Sequence, residues 1–300
     1  MSPAGRFAPS PSGELHVGNL RTAVLAWLFA RSTGRDFLLR VEDLDRARAG
    51  AEAEQLRDLA AIGVVWDGAV VRQTARGALY DGAIAALAGQ GLTYECFCTR
   101  REIQEAPSAP HAPLGAYPGT CRNLDAAEVA FKRSIRPAAI RLRAGVAEYT
   151  VRDVLHGGFT GVVDDLVLRR NDGVVAYNLA VVVDDADQGV DQVVRGDDLL
   201  PSTPRQAYLA SLLNIPLPEY VHVPLVVNSD GVRLAKRDGA VTLRDLAAAG
   251  IPAAAVRDRL LESLGLPAGP LEGALPSFDA DRLPRQPWIW AAADGRPNRA

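Results

Sequence analysis

The segment His16-Val17-Gly18-Asn19 carries residue types suited to binding an anion. It lies between a predicted strand and a predicted helix. The start of a helix presents free backbone N–H groups and the positive end of the helix dipole. The imidazole of His16 can donate to a phosphate oxygen, and Gly18 lets the backbone approach a nucleotide closely. The segment predicts a triphosphate site. A helix cap or a surface position is the competing interpretation.

A second cationic segment, Arg233-Leu234-Ala235-Lys236-Arg237, follows a glycine turn well over half the chain later. A basic loop at this point could reach the β- and γ-phosphates of ATP as negative charge moves onto the leaving pyrophosphate. A solvated run of charge is the alternative, but the pairing with the first segment favours the chemical interpretation. Together the two segments predict an enzyme that activates a carboxylic acid with ATP as an acyl-adenylate.

The composition excludes several classes of protein. With 48% hydrophobic residues over 300 positions, the chain can bury a substantial core. It holds no run of about 18 uninterrupted apolar residues, and its start lacks the features of an export signal, so we expect a cytoplasmic protein. The net charge of −3 argues against a generic polyanion binder, although a local basic face would still suit a nucleic acid.

Lysine is rare in this chain. Lys132 and Lys236 are the only two lysines, and arginine supplies the rest of the fixed positive charge. The compositional bias toward alanine, arginine and valine weakens any argument from a single arginine. A lysine that survives this bias is a candidate for chemistry, which favours a role for Lys236.

The elements that must position these residues follow from periodicity. Residues 6–45 indicate a strand, a helix closed by Gly34 and a buried parallel strand, which together form a βαβ opening. Helices are predicted over 51–62 and 77–90, a short strand near 92–97 and a small antiparallel insertion over about 138–170. The stretch 177–200 has a buried-strand pattern. A helix from about 203, strand-like YVHVPLVV, a tight NSDG turn and a short helical tail follow.

Three cysteines, Cys96, Cys98 and Cys121, fall in one short proline-rich stretch. Because the chain shows no export signal, a metal site is a better explanation than a disulfide framework. Three thiolates supply most of a tetrahedral zinc site and would order a loop that cannot build a core of its own. Residue types alone nominate His111 as the fourth ligand. Reduced, buried cysteines are the alternative.

Five segments in order carry a resemblance: RFAPSPSGELHVGN, RVEDLD, YNLAVVVDD, RGDDLL and RLAKRDG. Together they resemble the class I glutamyl and glutaminyl tRNA synthetases, with HVGN as the HIGH box and LAKR as the KMSKS-type box. The resemblance covers about residues 5 to 265. HVGN lacks the final His of HIGH, and LAKR has Ala235 where the family commonly has Ser, but Lys236 is retained.

The resemblance implies an α/β fold with a Rossmann-like class I aminoacyl-tRNA synthetase catalytic domain, a zinc-bearing insertion and a short helical C-terminal tail. We expect the catalytic domain at residues 1–250, with a zinc-binding segment at 96–121 and a small insertion at 122–170. The tail is expected at 251–300, with no anticodon-binding domain.

Carried over residue by residue, the resemblance assigns a glutamate pocket. Its members are Arg6, Ala8, Ser10, Glu42, Tyr177 and Arg195. The chemistry agrees, because arginine binds carboxylates bidentately and an anion such as Glu42 suits an ammonium group. An ordinary ion pair for Arg195 and Glu42, and a core position for Tyr177, are the competing interpretations.

The resemblance also assigns the nucleotide and metal residues. The ATP-binding set is His16, Gly18, Asn19 and Lys236, with His16, Asn19 and Lys236 as the catalytic candidates. The shorter relatives carry a Cys, Cys, Tyr, Cys zinc site at this spacing, which points to Tyr117 as the ligand beside Cys96, Cys98 and Cys121. His111 stays open as the fourth ligand. Four acidic residues fit either magnesium ligands or turn caps: Asp43, Asp45, Asp184 and Asp185.

Full-length relatives continue after the KMSKS-type box into an anticodon-binding domain, which is not expected in this 300-residue sequence. The chain is therefore most similar to a truncated branch of the family, which activates glutamate without tRNA and transfers it to queuosine in the anticodon of tRNA(Asp). The expected ligands are L-glutamate, ATP with Mg²⁺, Zn²⁺ and tRNA(Asp) carrying queuosine. We expect a monomer that binds no membrane.

Three alternatives stay open at this point. The first is a truncated glutamyl tRNA synthetase-like protein with another acceptor. The second is a different class I nucleotidyltransferase that joins a nucleotide to a small phosphorylated cofactor. The third is a silent paralogue that only binds tRNA or a protein, against which the retention of Lys236 argues.

Overall fold

The computed structural model describes residues 2–105, 117–232, 234 and 241–290. The chain forms two compact units. The first comprises residues 1–71, 192–199 and 220–300, and the second comprises residues 72–191 and 200–219. These units are not the predicted domains, whose division at residue 250 stays a prediction. Within the described ranges, no helix is long and apolar enough to cross a membrane.

The first unit opens with the predicted βαβ arrangement. Strand β1 (Ala4–Phe7) leads into helix α1 (Val17–Ser32) and then into strand β2 (Asp36–Val41), which pairs with β1 in parallel. The strand order is β3, β2, β1, β9, β10, where β3 is Val71–Arg72, β9 is Val190–Gly196 and β10 is Glu219–Val223. The other elements of this unit are α2 (Ala51–Ala61), β11 (Val226–Val227), α8 (Leu243–Ala248), α9 (Ala253–Glu262), α10 (Leu271–Ala274) and β12 (Trp288–Ile289).

Helix α1 is buried around nearly its whole circumference, as expected of a helix whose apolar residues are not confined to one stripe. It packs tightly on β1, since a Cβ at Gly5 would lie 2.9 Å from the Cβ of Ala30. The helix also buries the guanidinium of Arg21, which donates to the carbonyl of Pro224 and to the hydroxyl of Ser263, each at 3.0 Å. Burial lowers the pKa of Arg21 to about 10.

The second unit contains the predicted antiparallel insertion. Strands β4 (Thr93–Cys96), β5 (Ala139–Leu142) and β8 (Val167–Arg169) form an antiparallel sheet in the order β4, β5, β8. Strands β6 (Glu148–Asp153) and β7 (Gly157–Val162) form a hairpin. The helices are α3 (Gly77–Gly89), α4 (Arg100–Glu105), α5 (Ala126–Ile135), α6 (Tyr177–Asp187) and α7 (Thr203–Leu212).

The strand predicted over residues 177–200 is wrong in its first half. Residues 177–187 form helix α6, and only residues 190–196 form a strand, β9. Residues 179–185 of α6 are all buried. A helix buried on every side has a continuous apolar run, and periodicity does not distinguish such a run from a buried strand.

Asp184 explains how a carboxylate is accommodated inside α6. Its side chain is fully buried and accepts hydrogen bonds from Gln73 Nε2 at 2.7 Å, Arg76 Nε at 2.5 Å and Tyr80 Oη at 2.9 Å. Arg76 also donates to Asp187 at 2.6 Å, on the exposed side of the helix. Asp184 therefore ties α6 to α3 and to the turn before α3, and its described contacts are structural rather than those of a magnesium ligand.

Replacing Asp184 with alanine is expected to lower the free energy of unfolding by about 3 to 5 kcal/mol, because the buried Gln73 and Tyr80 and the half-buried Arg76 lose their acceptor. The same change at Asp187, which is 47% exposed, removes only a surface ion pair and is expected to cost less than about 1 kcal/mol. Urea unfolding of both variants with unchanged m-values measures the difference. Equal losses for the two variants would contradict this account.

Candidate active site and metal centre

His16 caps the start of α1. Its Nδ1 accepts a hydrogen bond from the backbone N–H of Gly18 at 3.1 Å, and Asn19 Oδ1 accepts from the backbone N–H of His16 at 3.3 Å. His16 is therefore a helix cap, as the competing interpretation of this segment predicted. Because Nδ1 is an acceptor here, the neutral imidazole carries its proton on Nε2, which is the arrangement needed to donate to an anion.

Gly18 makes room for this imidazole. A Cβ at position 18 would lie 3.0 Å from Cε1 and 3.1 Å from Nδ1 of His16, and 3.5 Å from the Cβ of Val226. Any side chain at this position would press on the ring. The sequence motif thus contains a glycine because the preceding histidine folds back over the helix start.

The second predicted segment lies largely outside the described residues, which include Leu234 but not Arg233, Ala235, Lys236 or Arg237. Leu234 is buried and its backbone N–H donates to the carbonyl of Val226. On the other side of the segment, Val241 accepts from the backbone N–H of Val17 at 3.0 Å, and Thr242 forms an antiparallel bridge with His16. The chain that follows the LAKR segment is therefore held against the HVGN segment.

Three residues of the predicted glutamate pocket lie on neighbouring strands of the first unit. Arg6 is near the end of β1, Glu42 directly follows β2, and Arg195 is near the end of β9. Arg6 is buried and donates to the carbonyl of Val194 at 3.2 Å, which brings it next to Arg195 across the two strands. Ligands of open α/β sheets bind beyond the carboxyl ends of the strands, so this is a suitable place for such a pocket.

The buried guanidinium of Arg195 is oriented by two residues that sequence reasoning missed. Its Nε donates to His222 Nε2 at 3.0 Å, and its Cζ lies 6.0 Å from the ring centre of Tyr220. His222 is fully buried and its ring stacks on that of Tyr220. The sequence signal for this pair is the spacing of Tyr220 and His222, because residues two apart along a strand place their side chains on the same face of the sheet.

Glu42 lies beside a buried cation. Its Oε1 is 3.5 Å from Nη2 of the fully buried Arg40, and its role in binding the ammonium group of an amino acid stays a prediction. The backbone N–H of Glu42 donates to the carbonyl of Pro9 at 3.0 Å, which brings the loop of Ala8 and Ser10 beside it. Ala8 is half-buried and Ser10 is exposed.

Tyr177 belongs to the second unit, where it is the first residue of α6 and is 39% exposed. The core position considered for it is therefore wrong. Its role in binding an amino acid stays a prediction.

The three cysteines come together in the second unit, with their Sγ atoms all within 4.8 Å of one another. Cys98 Sγ and Cys121 Sγ are 3.6 Å apart. Tyr117 completes the cluster: its Oη accepts from the backbone N–H of Cys121 at 2.8 Å and lies 3.3 Å from Cys96 Sγ and 3.8 Å from Cys98 Sγ. His111 lies outside the described residues.

The electrostatics of the cluster differ from one thiol to the next. Burial, together with the neighbouring Cys96 and Cys121, raises the pKa of the Cys98 thiol to about 12. Burial opposes ionisation of Cys96 too, but hydrogen bonds with Tyr117, with the backbone of Cys98 and with Arg141 hold the pKa of that thiol below its ordinary value. The guanidinium of Arg141 lies 3.6 Å from the ring centre of Tyr117. A divalent cation at the centre would favour thiolates throughout the cluster.

The comparisons with known proteins decide the family. The family model described as "tRNA synthetases class I (E and Q), catalytic domain" matches residues 4–269. The chain belongs to this family. It is therefore an enzyme of the class I aminoacyl-tRNA synthetase type, for which ATP is the expected substrate, and the α/β class I fold predicted from the sequence is confirmed.

Several relatives found by sequence share one name. A protein named Glutamyl-Q tRNA(Asp) synthetase from Nocardia farcinica is 66% identical over 287 residues, which cover 95% of this chain and 92% of the relative. A protein of the same name from Cutibacterium acnes is 54% identical over 269 residues, which cover 88% of this chain and 76% of the relative. The similarity to both extends along most of the chain.

Among solved structures, a glutamate tRNA ligase from Elizabethkingia meningosepticum in complex with its amino acid matches with a TM-score of 0.82 at 26% identity. The match covers 97% of this chain and 68% of that one. A putative arginyl tRNA synthetase from Campylobacter jejuni, at 14% identity and a TM-score of 0.52, shares the fold alone.

Proposed function

We propose that this enzyme activates L-glutamate with ATP as glutamyl-adenylate, without requiring tRNA, and transfers the glutamate to queuosine in the anticodon of tRNA(Asp). The observation that carries the proposal is the 66% identity, over 95% of the chain, to a relative named for that activity. The geometry of the first unit supports the activation step, and the relatives' name supports the acceptor.

In the activation step, a carboxylate oxygen of glutamate attacks the α-phosphorus of ATP. A new oxygen–phosphorus bond forms, the bond to the bridging oxygen breaks, and pyrophosphate leaves with the negative charge. His16 is suited to this step because its neutral ring carries a proton on Nε2 at the start of α1. We assign Lys236 to the departing phosphates, together with Gly18 and Asn19 for binding ATP, and Mg²⁺ would accompany the nucleotide.

The glutamate pocket is assigned to Arg6, Ala8, Ser10, Glu42 and Arg195, with Tyr177 added on the family resemblance alone. Two guanidiniums near the ends of neighbouring strands suit a substrate with two carboxylates, since each guanidinium can bind one of them bidentately. The carboxylate of Glu42 suits the ammonium group. A pocket of this kind does not favour the small phosphorylated cofactor of the alternative nucleotidyltransferase hypothesis.

In the transfer step, a hydroxyl oxygen of the queuosine ring attacks the acyl carbon of the adenylate. The bond from that carbon to the phosphate oxygen breaks, AMP leaves, and the hydroxyl proton is lost to solvent or phosphate. The mixed anhydride is already reactive, so positioning of the two reactants supplies most of what the step needs. We assign no general base.

We further propose that the cluster of Cys96, Cys98, Tyr117 and Cys121 holds zinc. A tetrahedral site with zinc–sulfur bonds of about 2.3 Å places its sulfurs roughly 3.8 Å apart, and Cys98 Sγ and Cys121 Sγ are 3.6 Å apart. Cys96, Tyr117 and Cys121 are buried and Cys98 is half-buried, and the donor set needs little rearrangement to close on an ion. The ion would order the proline-rich segment 96–121 and take no part in the chemistry of the first unit. A monomeric, cytoplasmic enzyme remains our prediction.

The wild-type enzyme is expected to catalyse glutamate-dependent exchange of pyrophosphate into ATP without tRNA. Lys236→Ala should lower the rate at least about a hundredfold, because a charge on the leaving phosphates is lost. Lys132→Ala is the matched control, since it removes the only other lysine of the chain, and its rate should stay near that of the wild type. Exchange with another amino acid instead of glutamate, or equal rates for the two variants, would contradict the assignment.

The acceptor is tested by offering labelled glutamate and ATP to tRNA pools prepared with and without queuosine. Label should enter only the pool with queuosine, within tRNA(Asp), and should be lost when vicinal diols are oxidised with periodate beforehand. Label at the 3′ end of any tRNA in both pools would favour a truncated glutamyl tRNA synthetase with another acceptor.

Purified protein supplied with zinc is expected to hold about one ion per chain, and Cys98→Ser should lose most of it. The variant should also be cleaved faster by protease within residues 96–121. Tyr117→Phe and His111→Ala distinguish the fourth ligand, because only the variant that removes a ligand should weaken zinc binding. A wild-type chain that binds no zinc would refute the proposed site.

A further inference from the structure

The loop of residues 8–15 links β1 to α1 and carries much of the proposed site. It includes Ala8 and Ser10 of the glutamate pocket and ends directly before His16. The loop contains two prolines and Gly13, whose φ is 154°, so it has no regular backbone ladder of its own. Something outside the loop must therefore determine where Ser10 and His16 lie.

Gln55 of α2 adds side-chain contacts to the backbone bonds that this loop accepts from Glu42, at Pro9, and from Arg48, at Pro11. Its Nε2 donates to the carbonyl of Ser10 at 3.0 Å and to the carbonyl of Gly13 at 2.6 Å. An amide nitrogen has two hydrogens, and both are used here on the same loop. The two carbonyls are acceptors only, which fixes which end of the amide faces them.

Packing alone does not require a glutamine at this position. Gln55 is 2% exposed, and its Oε1 has no hydrogen-bond partner within the described part of the chain. A buried acceptor without a partner destabilises the folded state, whereas a methionine would fill the same space without that cost. A glutamine at position 55 therefore destabilises the folded state relative to an apolar residue of the same size. The contacts that it makes instead are the two hydrogen bonds to the loop.

A second contact between α2 and the same loop is weaker. Arg244 of α8 bridges Glu14, at 3.1 Å, and Glu54 of α2, at 2.7 Å, but its side chain is 63% exposed. Exposed ion pairs of this kind contribute little because water and salt screen them. Arg244 therefore provides a matched comparison on the same loop and the same helix.

We propose that Gln55 is a positioning residue, which sets the shape of loop 8–15 so that Ser10 and His16 meet glutamate and ATP in the productive arrangement. The inference rests on the proposed function, because Ser10 and His16 are placed in the site on that basis. Gln55 itself does not touch the substrates.

The test is pyrophosphate exchange by wild type, Gln55→Met, Gln55→Asn and Arg244→Met, with folding checked by circular dichroism and thermal unfolding. Gln55→Met keeps the volume and loses both donors, and Gln55→Asn keeps the amide but is one methylene shorter. Misplacement of a binding loop should lower kcat/KM about tenfold or more in both Gln55 variants. Arg244→Met should stay within about threefold of wild type.

A double-mutant cycle with Ser10→Ala distinguishes positioning from a general loss of stability. If Gln55 acts through Ser10, Gln55→Met should raise the KM for glutamate in the wild-type background and have a much smaller effect in the Ser10→Ala background. An equal effect in both backgrounds, or Gln55 variants as active as wild type, would overturn the inference and leave the proposed function standing. Absence of glutamate-dependent exchange in wild type itself would instead overturn the proposed function.

Discussion

The connection from β1 to α1 is the constraint on which the first unit depends. Helix α1 is buried on almost every side and packs against Gly5 of β1 so closely that a side chain would clash. The helix can therefore neither rotate nor slide without disturbing the core. Its first residue, Val17, is fixed in space, and the preceding His16 must join this helix start to loop 8–15. The position of the predicted phosphate contact thus depends on core packing as well as on the loop.

The second unit holds two buried polar clusters beside its apolar core. Asp184 organises one part of it as a buried carboxylate with three donors. The cysteine cluster organises another part, where Cys96, Phe97, Tyr117 and Cys121 are buried together. Both arrangements concentrate the stabilisation of a polar region in one small set of atoms, so both are sensitive to single substitutions.

The sequence predicted those elements that depend on residues close together along the chain. The βαβ opening, the helices at α2 and α3 and the antiparallel insertion follow from periodicity and turn residues, and the gathering of Cys96, Cys98, Tyr117 and Cys121 was expected from their spacing and the family resemblance. Helix α6 was missed because residues 179–185 are all buried, so this part of the helix shows no alternation of an apolar and a polar face. The spacing of Tyr220 and His222 predicts a shared face, but the contacts of His222 and Gln55 do not follow from it, since each partner is distant in sequence, Arg195 for one and loop 8–15 for the other.

His16 shows why two interpretations of one motif need not compete. A helix start requires acceptors for its first N–H groups, and serine, aspartate or asparagine would satisfy that requirement as well as histidine does. Serine and aspartate cap with an oxygen and have no separate N–H donor, whereas the donor of asparagine lies beside its capping oxygen on the same amide group. Imidazole has two nitrogens on opposite sides of one ring, so Nδ1 can accept from Gly18 while the proton stays on Nε2. The capping bond thereby selects the tautomer that the proposed phosphate contact requires, and the ring is oriented by the fold before any nucleotide binds.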